Sequence, residues 1–522
     1  LSELQHSTLS TQHSALVIGG GLAGLTAGLH LAERGLKPLI LEANPDFWGG
    51  RVAGKSAITL TDPTGKEWQF PAEHGLHGIW WQYKNVKAML THHKILPKLV
   101  PAERQQWVHG EKGKVKKAEM GRVVTKTVIW PAPFHYGALF FRPSFLRMLT
   151  PRDVLAIPSV LGSLLVATGV DPLLEGRALQ GRTLADFCKG WPPRITAFVA
   201  SLARSGLSAH PDEVPLAGFI AFLRFYTLLR RDSQKFHYLA ADPETALIGP
   251  MVRKIQELGG QVRLGCRVER LERWNETGWQ VFSDKGETFQ TQHVILATDA
   301  PVTRQILSNS PATQEIAANL SWPQGLETAV VRFWFSAPPA KKAAEAGIVS
   351  GDFAIDNFFW LHRIQDIFAE WHTATGGSAI EAHIYSQQNL ALDDQTLLTR
   401  AQNDLSRIFP DLKGKIIHST LQRNSPSHTL FGVGSLSQHM GVHTPWPGLL
   451  CCGDWVRHPL PALFLERATA TGIVAANAVL ESNGKPPFPL QKYDKPEFLS
   501  RVMGGWMGSM RGTKRIGLRT KD

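Results

Sequence analysis

The chain has 522 residues, 43% hydrophobic and 19% charged, which gives it material for a sizeable buried core and excludes a disordered chain. Lysine and arginine outnumber acidic residues 56 to 44, a net charge of +12 that suits an anionic cofactor or an anionic lipid surface. No helix-turn-helix, zinc-finger or RNA-binding motif accompanies that charge, so nucleic acid is not the expected partner. Cys188, Cys266, Cys451 and Cys452 lack CxxC spacing, which argues against a disulfide framework or zinc site and for a reducing compartment.

In chain order, residues 1–15 carry no Lys or Arg and no apolar core, so they do not read as a signal peptide. The first specific stretch is Leu16 to Gly35, LVIGGGLAGLTAGLHLAERG, a strand, a glycine turn and a helix. Gly19 to Gly24 fits G-x-G-x-x-G. Gly19 makes the tight turn, Gly21 lets a pyrophosphate approach, and Gly24 lets the helix pack on the strand. Leu22 and Ala23 open the helix, whose N-terminus favours negative charge. A second strand, Pro38 to Leu41, ends at Glu42 and Ala43. Glu42 stands 18 residues past Gly24, where a carboxylate binds ribose hydroxyls. Together these features predict a bound dinucleotide.

From about residue 70 to 240 the βα alternation gives way to a segment rich in Trp, Phe and Pro, then to helices. The longest uncharged run, Val154 to Val170, is shorter than the roughly 20 residues a spanning helix needs and is broken by Pro158. It is expected to line a substrate channel or to dip into one leaflet. Order returns with the helix ALIGPMVRKIQELGG and the strands QVRLGCRVERLE, WQVFSD, ETFQ and HVILATDAP, a meander on a dinucleotide fold. The strands ETAVVRFWF and SAIEAHIY follow in a mixed stretch. A last strand–turn–helix reads GLLCCGDW, then ALFLERATATGIVAANAVL.

Beyond Glu42, the E-x6-G-G-R arrangement ending at Gly49, Gly50 and Arg51 resembles the flavin amine-oxidase and phytoene-desaturase superfamily. CRVERLE resembles the strand whose valine, here Val268, contacts adenine. CCGDW resembles the terminal G-D pair, here Gly453 and Asp454, whose aspartate holds the ribityl chain. AEHGLHGIWWQYKN and IDNFFWLHRI are similar to plant-type carotene desaturases and the isorenieratene-synthase-type branch. The resemblance implies FAD as cofactor and an α/β architecture, with a Rossmann-like FAD-binding domain interleaved with a mixed α+β substrate domain. The expected boundaries are 14–70, 245–325 and 435–482 for the first, and 71–244 and 326–434 for the second.

The resemblance further implies desaturation of a long hydrophobic polyene by hydride transfer, with quinone or oxygen as electron acceptor. Polyene isomerisation and oxidation of another lipid or an amine are the enzymatic alternatives. Rab GDP-dissociation inhibitors also resemble this fold and bind prenylated partners without FAD, but the retained GGR and GD segments argue against that role. Glu73, His74 and His77 are the implied catalytic candidates. Glu466 and Ala468 stand where the family has its E-G-A near the flavin, and here Arg467 replaces the glycine. His439 and His443 flank a glycine-containing turn with no third ligand, so no metal is expected. Residues 483–522 read as a basic tail in which Arg501, Arg511, Lys514, Arg515, Arg519 and Lys521 mix with Val502, Trp506, Met507 and Met510. That mixture predicts peripheral contact with an anionic membrane, on its cytoplasmic side.

Overall fold

In the computed structural model, which describes residues 13–121, 130–431 and 439–519, the runs ALVI, PLIL and VIL form strands buried at every position. Strands covered by helices on both faces read as continuous apolar runs, the signature of a parallel sheet. Its order is Gln261–Arg263, Pro38–Leu41, Ala15–Ile18, Val294–Leu296 and Leu449–Cys451, all parallel. Ile18 pairs with Leu41 on one side and Leu296 on the other, so three strand ends meet beside the glycine turn. In such sheets ligands bind outside the carboxyl ends of the strands.

QVRLGCRVERLE is not one strand. Gly265, at φ +65°, breaks it into the sheet-edge strand Gln261–Arg263 and the strand Val268–Arg273. The second piece opens a three-stranded antiparallel meander with Trp279–Ser283 and Thr288–Thr291.

A seven-stranded mixed sheet forms the other layer. Its central strands are Gly325–Phe335, Ser378–Ile384 and Asn357–Trp360, and Gln105–Glu111 joins Ala346–Gly351 in parallel. Alternation divides its faces. Ile380, Ala382 and Ile384 enter a core with Val331, Phe333 and Phe358, on the side of the helix Asp394–Ile408. Glu381, His383 and Tyr385 therefore share the opposite face, towards the parallel-sheet layer.

Two helices differ from the sequence reading. Residues 151–168 form one helix despite Pro158, begun by a capping box in which Thr150 and Asp153 satisfy each other's backbone donors. It is long and apolar enough to cross a membrane by length and composition, yet one side lines an internal cavity through Val160, Leu161 and Leu164. The expected tail is helical over Phe498–Arg519 and packs against it: a Cβ on Gly169 would lie 2.5 Å from the Met507 Cβ. The side chains of Arg511, Lys514, Arg515 and Arg519, and all of Lys521, lie outside the described residues.

Candidate active site

One cavity of about 1200 Å³ runs from the glycine turn to the helix Pro151–Thr168. At the turn, Gly19 sits at φ +112°, and a Cβ there would come 2.8 Å from the Ala297 carbonyl oxygen. A Cβ on Gly24 would lie 2.0 Å from the Gly19 carbonyl oxygen, so the helix can approach its own turn only with glycine here. Gly24 thus acts by packing and does not line the cavity. Gly21 caps the helix without a side-chain bond, and no acidic residue occupies the first turn, which leaves the first amides to an anion.

Glu42 accepts from the Gly20 amide at 2.7 Å and the Asn44 amide at 2.8 Å, which fixes its carboxylate with lone pairs left for a diol. Arg51 Nη2 reaches Asp454 Oδ1 at 2.5 Å, and the Thr429 hydroxyl donates to the same oxygen at 3.2 Å. Burial opposes the charge on Asp454, but Arg51 outweighs it and holds the carboxyl below its usual range. Leu22, Ala23, Ala43, Gly49, Gly50, Val268, Gly453 and Ala468 line the same space. Amides for a pyrophosphate, two carboxylates for hydroxyls and a half-buried arginine fit FAD.

The segment 73–77 crosses between this end and the mixed sheet, and three side chains that sequence reasoning missed pin it there. Arg332 Nη2 donates to the Glu73 carbonyl at 2.5 Å. The Leu76 amide donates to Glu381 Oε1 at 2.7 Å, and Asn424 Nδ2 donates to the His74 carbonyl at 2.8 Å. His74 and His77 face the cavity, joined by His383 and His428, which the sequence reading did not single out. Burial lowers His74 and pushes His77 and His428 down to about 4, outweighing Glu381 at His77 and Asp454 at His428, so all three are neutral imidazoles at neutral pH. The visible signal was a pair of charges, Arg332 and Glu381, inside two apolar strands.

Two expected site residues lie elsewhere. The Glu73 side chain is 3% exposed, turned behind the wall onto Gln365, and does not line the cavity. Burial and then Glu381 raise its pKa, so it is held as the neutral acid. Glu466 also lies off the cavity. It accepts from the amides of Asn85 at 2.8 Å and Val86 at 3.1 Å and from the Tyr493 hydroxyl at 3.0 Å, anchoring the helix Lys84–His92. Its carboxylate is thus used structurally.

Arg467, where a small residue was expected, is buried and donates to the carbonyls of Ala462 at 2.7 Å and Leu460 at 3.0 Å. Tyr226 donates to the Leu463 carbonyl at 3.1 Å and accepts from Tyr83 at 3.2 Å. These bonds hold Phe464 at φ +54° with its ring in the cavity wall. The far end is apolar, with Leu139, Phe145, Leu164, Phe198 and Leu202 among its lining residues.

A Rossmann-type turn, carboxylates for two sets of hydroxyls and an adjoining apolar chamber define an FAD-dependent oxidoreductase. The family model of flavin containing amine oxidoreductases matches residues 22–480, and the chain belongs to that family. It is 26% identical over 480 residues to a carotenoid phi-ring synthase of Streptomyces griseus, covering 90% of this chain and 88% of that one. It is 23% identical over 515 residues to the 15-cis-phytoene desaturase of Capsicum annuum, covering 92% and 80%. Cyclohexylamine oxidase from Brevibacterium oxydans shares the fold, with a TM-score of 0.66 at 15% identity over 91% of this chain and all of that one.

Proposed function

We propose that the protein desaturates a long apolar polyene of the carotenoid class, taken up from the cytoplasmic face of a membrane. The observation that carries this reading is the cavity. It continues past the nucleotide end, where Leu139, Phe145, Leu164, Phe198 and Leu202 give it aliphatic and aromatic walls. The names of the two carotenoid-acting relatives support the same substrate class.

Bound FAD supplies a two-electron oxidant that accepts a hydride. The chain supplies the rest. Phe145, Leu164 and Phe198 hold an extended hydrocarbon and exclude water. Arg51 and Asp454 fix each other at the cofactor end, and the pinned segment 73–77 presents neutral imidazoles where a positive charge develops on the polyene.

Membrane uptake is supported by the outer surface of the two packed helices. Leu155 is 82% exposed, and Val154, Val166, Val502, Trp506 and Met510 are also exposed. Phe141 and Leu146 are exposed just before the first helix, and Arg147, Arg152 and Arg501 stand among these residues. Apolar side chains interleaved with cations suit an anionic interface. Four free, buried cysteines accord with a reducing compartment.

Anaerobic incubation of the FAD holoprotein with candidate carotenes tests the reading. Flavin bleaching should accompany a red-shifted product, and admission of a quinone or oxygen then identifies the reoxidant. Bleaching by amines but not carotenes would overturn it. For the membrane, sedimentation with anionic vesicles should fall about tenfold in Leu155→Asp, with FAD binding unchanged. Equal sedimentation of wild type and variant would remove that part.

A further inference from the structure

We propose that Glu381, His383 and Tyr385 form a proton relay, with the Tyr385 oxygen as the base that takes the substrate proton. The inference rests on the desaturase reading above and assigns the half of the reaction that the flavin does not perform. Removing a hydride from a saturated carbon pair leaves a cation. A double bond forms only when the neighbouring carbon also loses a proton.

Glu381 and His383 alternate on the strand Ser378–Ile384 and Tyr385 continues that alternation directly past its end, and His383 and Tyr385 line the cavity. The hydrogen bonds fix the proton positions. Glu381 is anchored by Arg332 Nε at 2.8 Å and by the Leu76 amide. A carboxylate so held only accepts, so His383 Nε2 carries the proton and donates to Glu381 Oε1 at 2.7 Å. Nδ1 is then the acceptor, and the Tyr385 hydroxyl, 2.8 Å away, donates to it. Asn357 Nδ2, at 3.4 Å, holds the phenol from the adjoining strand. The Ser208 hydroxyl is a further side-chain neighbour of the phenol, and Tyr385 and Ser208 both line the cavity.

The step balances. The C–H bond of the cation breaks, its electron pair becomes the new π bond, and the proton joins the Tyr385 oxygen. The phenol's own proton passes to His383 Nδ1, and the resulting imidazolium is stabilised by the Glu381 carboxylate. The relay also sits in the right place. A Cβ on Gly75 would lie 3.4 Å from His383 Nε2, so the imidazole abuts the segment that runs to the cofactor end.

The other cavity-facing imidazoles are less suited. His74 Nε2, His77 Nδ1 and His428 Nε2 are buried without a hydrogen-bond partner, whereas His383 Nε2 is bonded directly to the Glu381 carboxylate.

Tyr385→Phe removes only the hydroxyl, and FAD binding, read by quenching of flavin fluorescence, should not change. Product formation in a single anaerobic turnover should fall about 100-fold, with a similar loss in His383→Gln. A second arm does not depend on turnover: in ¹⁵N-histidine-labelled holoprotein, His383 should show a protonated Nε2 and an accepting Nδ1, and Tyr385→Phe should shift Nδ1 alone. A wild-type product rate in Tyr385→Phe would overturn the relay, and so would a protonated Nδ1 on His383. A wild type that oxidises amines and no carotene would instead overturn the substrate reading, leaving the NMR arm to decide the relay.

Discussion

The two ends of the cavity are built on different principles. The nucleotide end is made of backbone: a turn, the first amides of one helix and glycines whose missing Cβ atoms create the space. The substrate end is made of side chains brought from helices and strands far apart in sequence. A single added carbon can therefore destroy the first, whereas the second is expected to yield gradually.

The sharpest way to break this comparison is Gly24→Val. Its Cβ would fall 2.0 Å from a backbone oxygen that cannot move without the turn. The expected outcome is loss of FAD from the purified protein, read by visible absorbance; a fully loaded variant would show that the turn is more plastic than described. Asp454→Asn comes next. It leaves the half-buried Arg51 without this charged partner, a loss of about 2 kcal/mol for a charge-assisted bond, and thermal unfolding with and without added FAD would register it.

At the other end, Leu164→Trp should bind FAD normally and lower kcat/KM for a polyene by about tenfold, because the indole occupies the apolar half of the cavity. An unaltered kcat/KM would mean that the substrate does not reach this wall.

The smallest effects concern pH. His77 and His428 stay neutral down to about 4 in the folded protein, against about 6.5 in the unfolded chain. Between those values the unfolded state binds more protons, so stability falls as pH drops, and His428→Gln should flatten that acid limb. Glu73 has the opposite sign. Its raised pKa makes the folded state bind the extra proton, so stability falls as pH rises above the ordinary carboxylate range. Glu73→Gln should gain on wild type from pH 5 to pH 9 in thermal unfolding.

The nucleotide residues were legible because each contact is local or carried by a short motif. Gly19, Glu42 and Arg51 fall within 33 residues of one another and are ordered by one strand–turn–helix unit. Glu73 and Glu466 were misplaced for a related reason. A motif places a residue near a cofactor, but only packing decides whether its side chain faces the ligand or the wall. Glu466 turned to the amides of Asn85 and Val86, some 380 positions away, because an unsatisfied helix start needs an acceptor.

The sequence by itself determined the class of cofactor and the chamber's apolar character, since both follow from backbone permissiveness and from composition. Tertiary structure decided the rest: which imidazoles face the cavity, the pinning of segment 73–77 by Arg332, Glu381 and Asn424, and the helical form of the basic C-terminus. The Leu76–Glu381 bond spans 305 residues. Strand alternation selects which face such a side chain takes, but only the register of the sheets selects its partner.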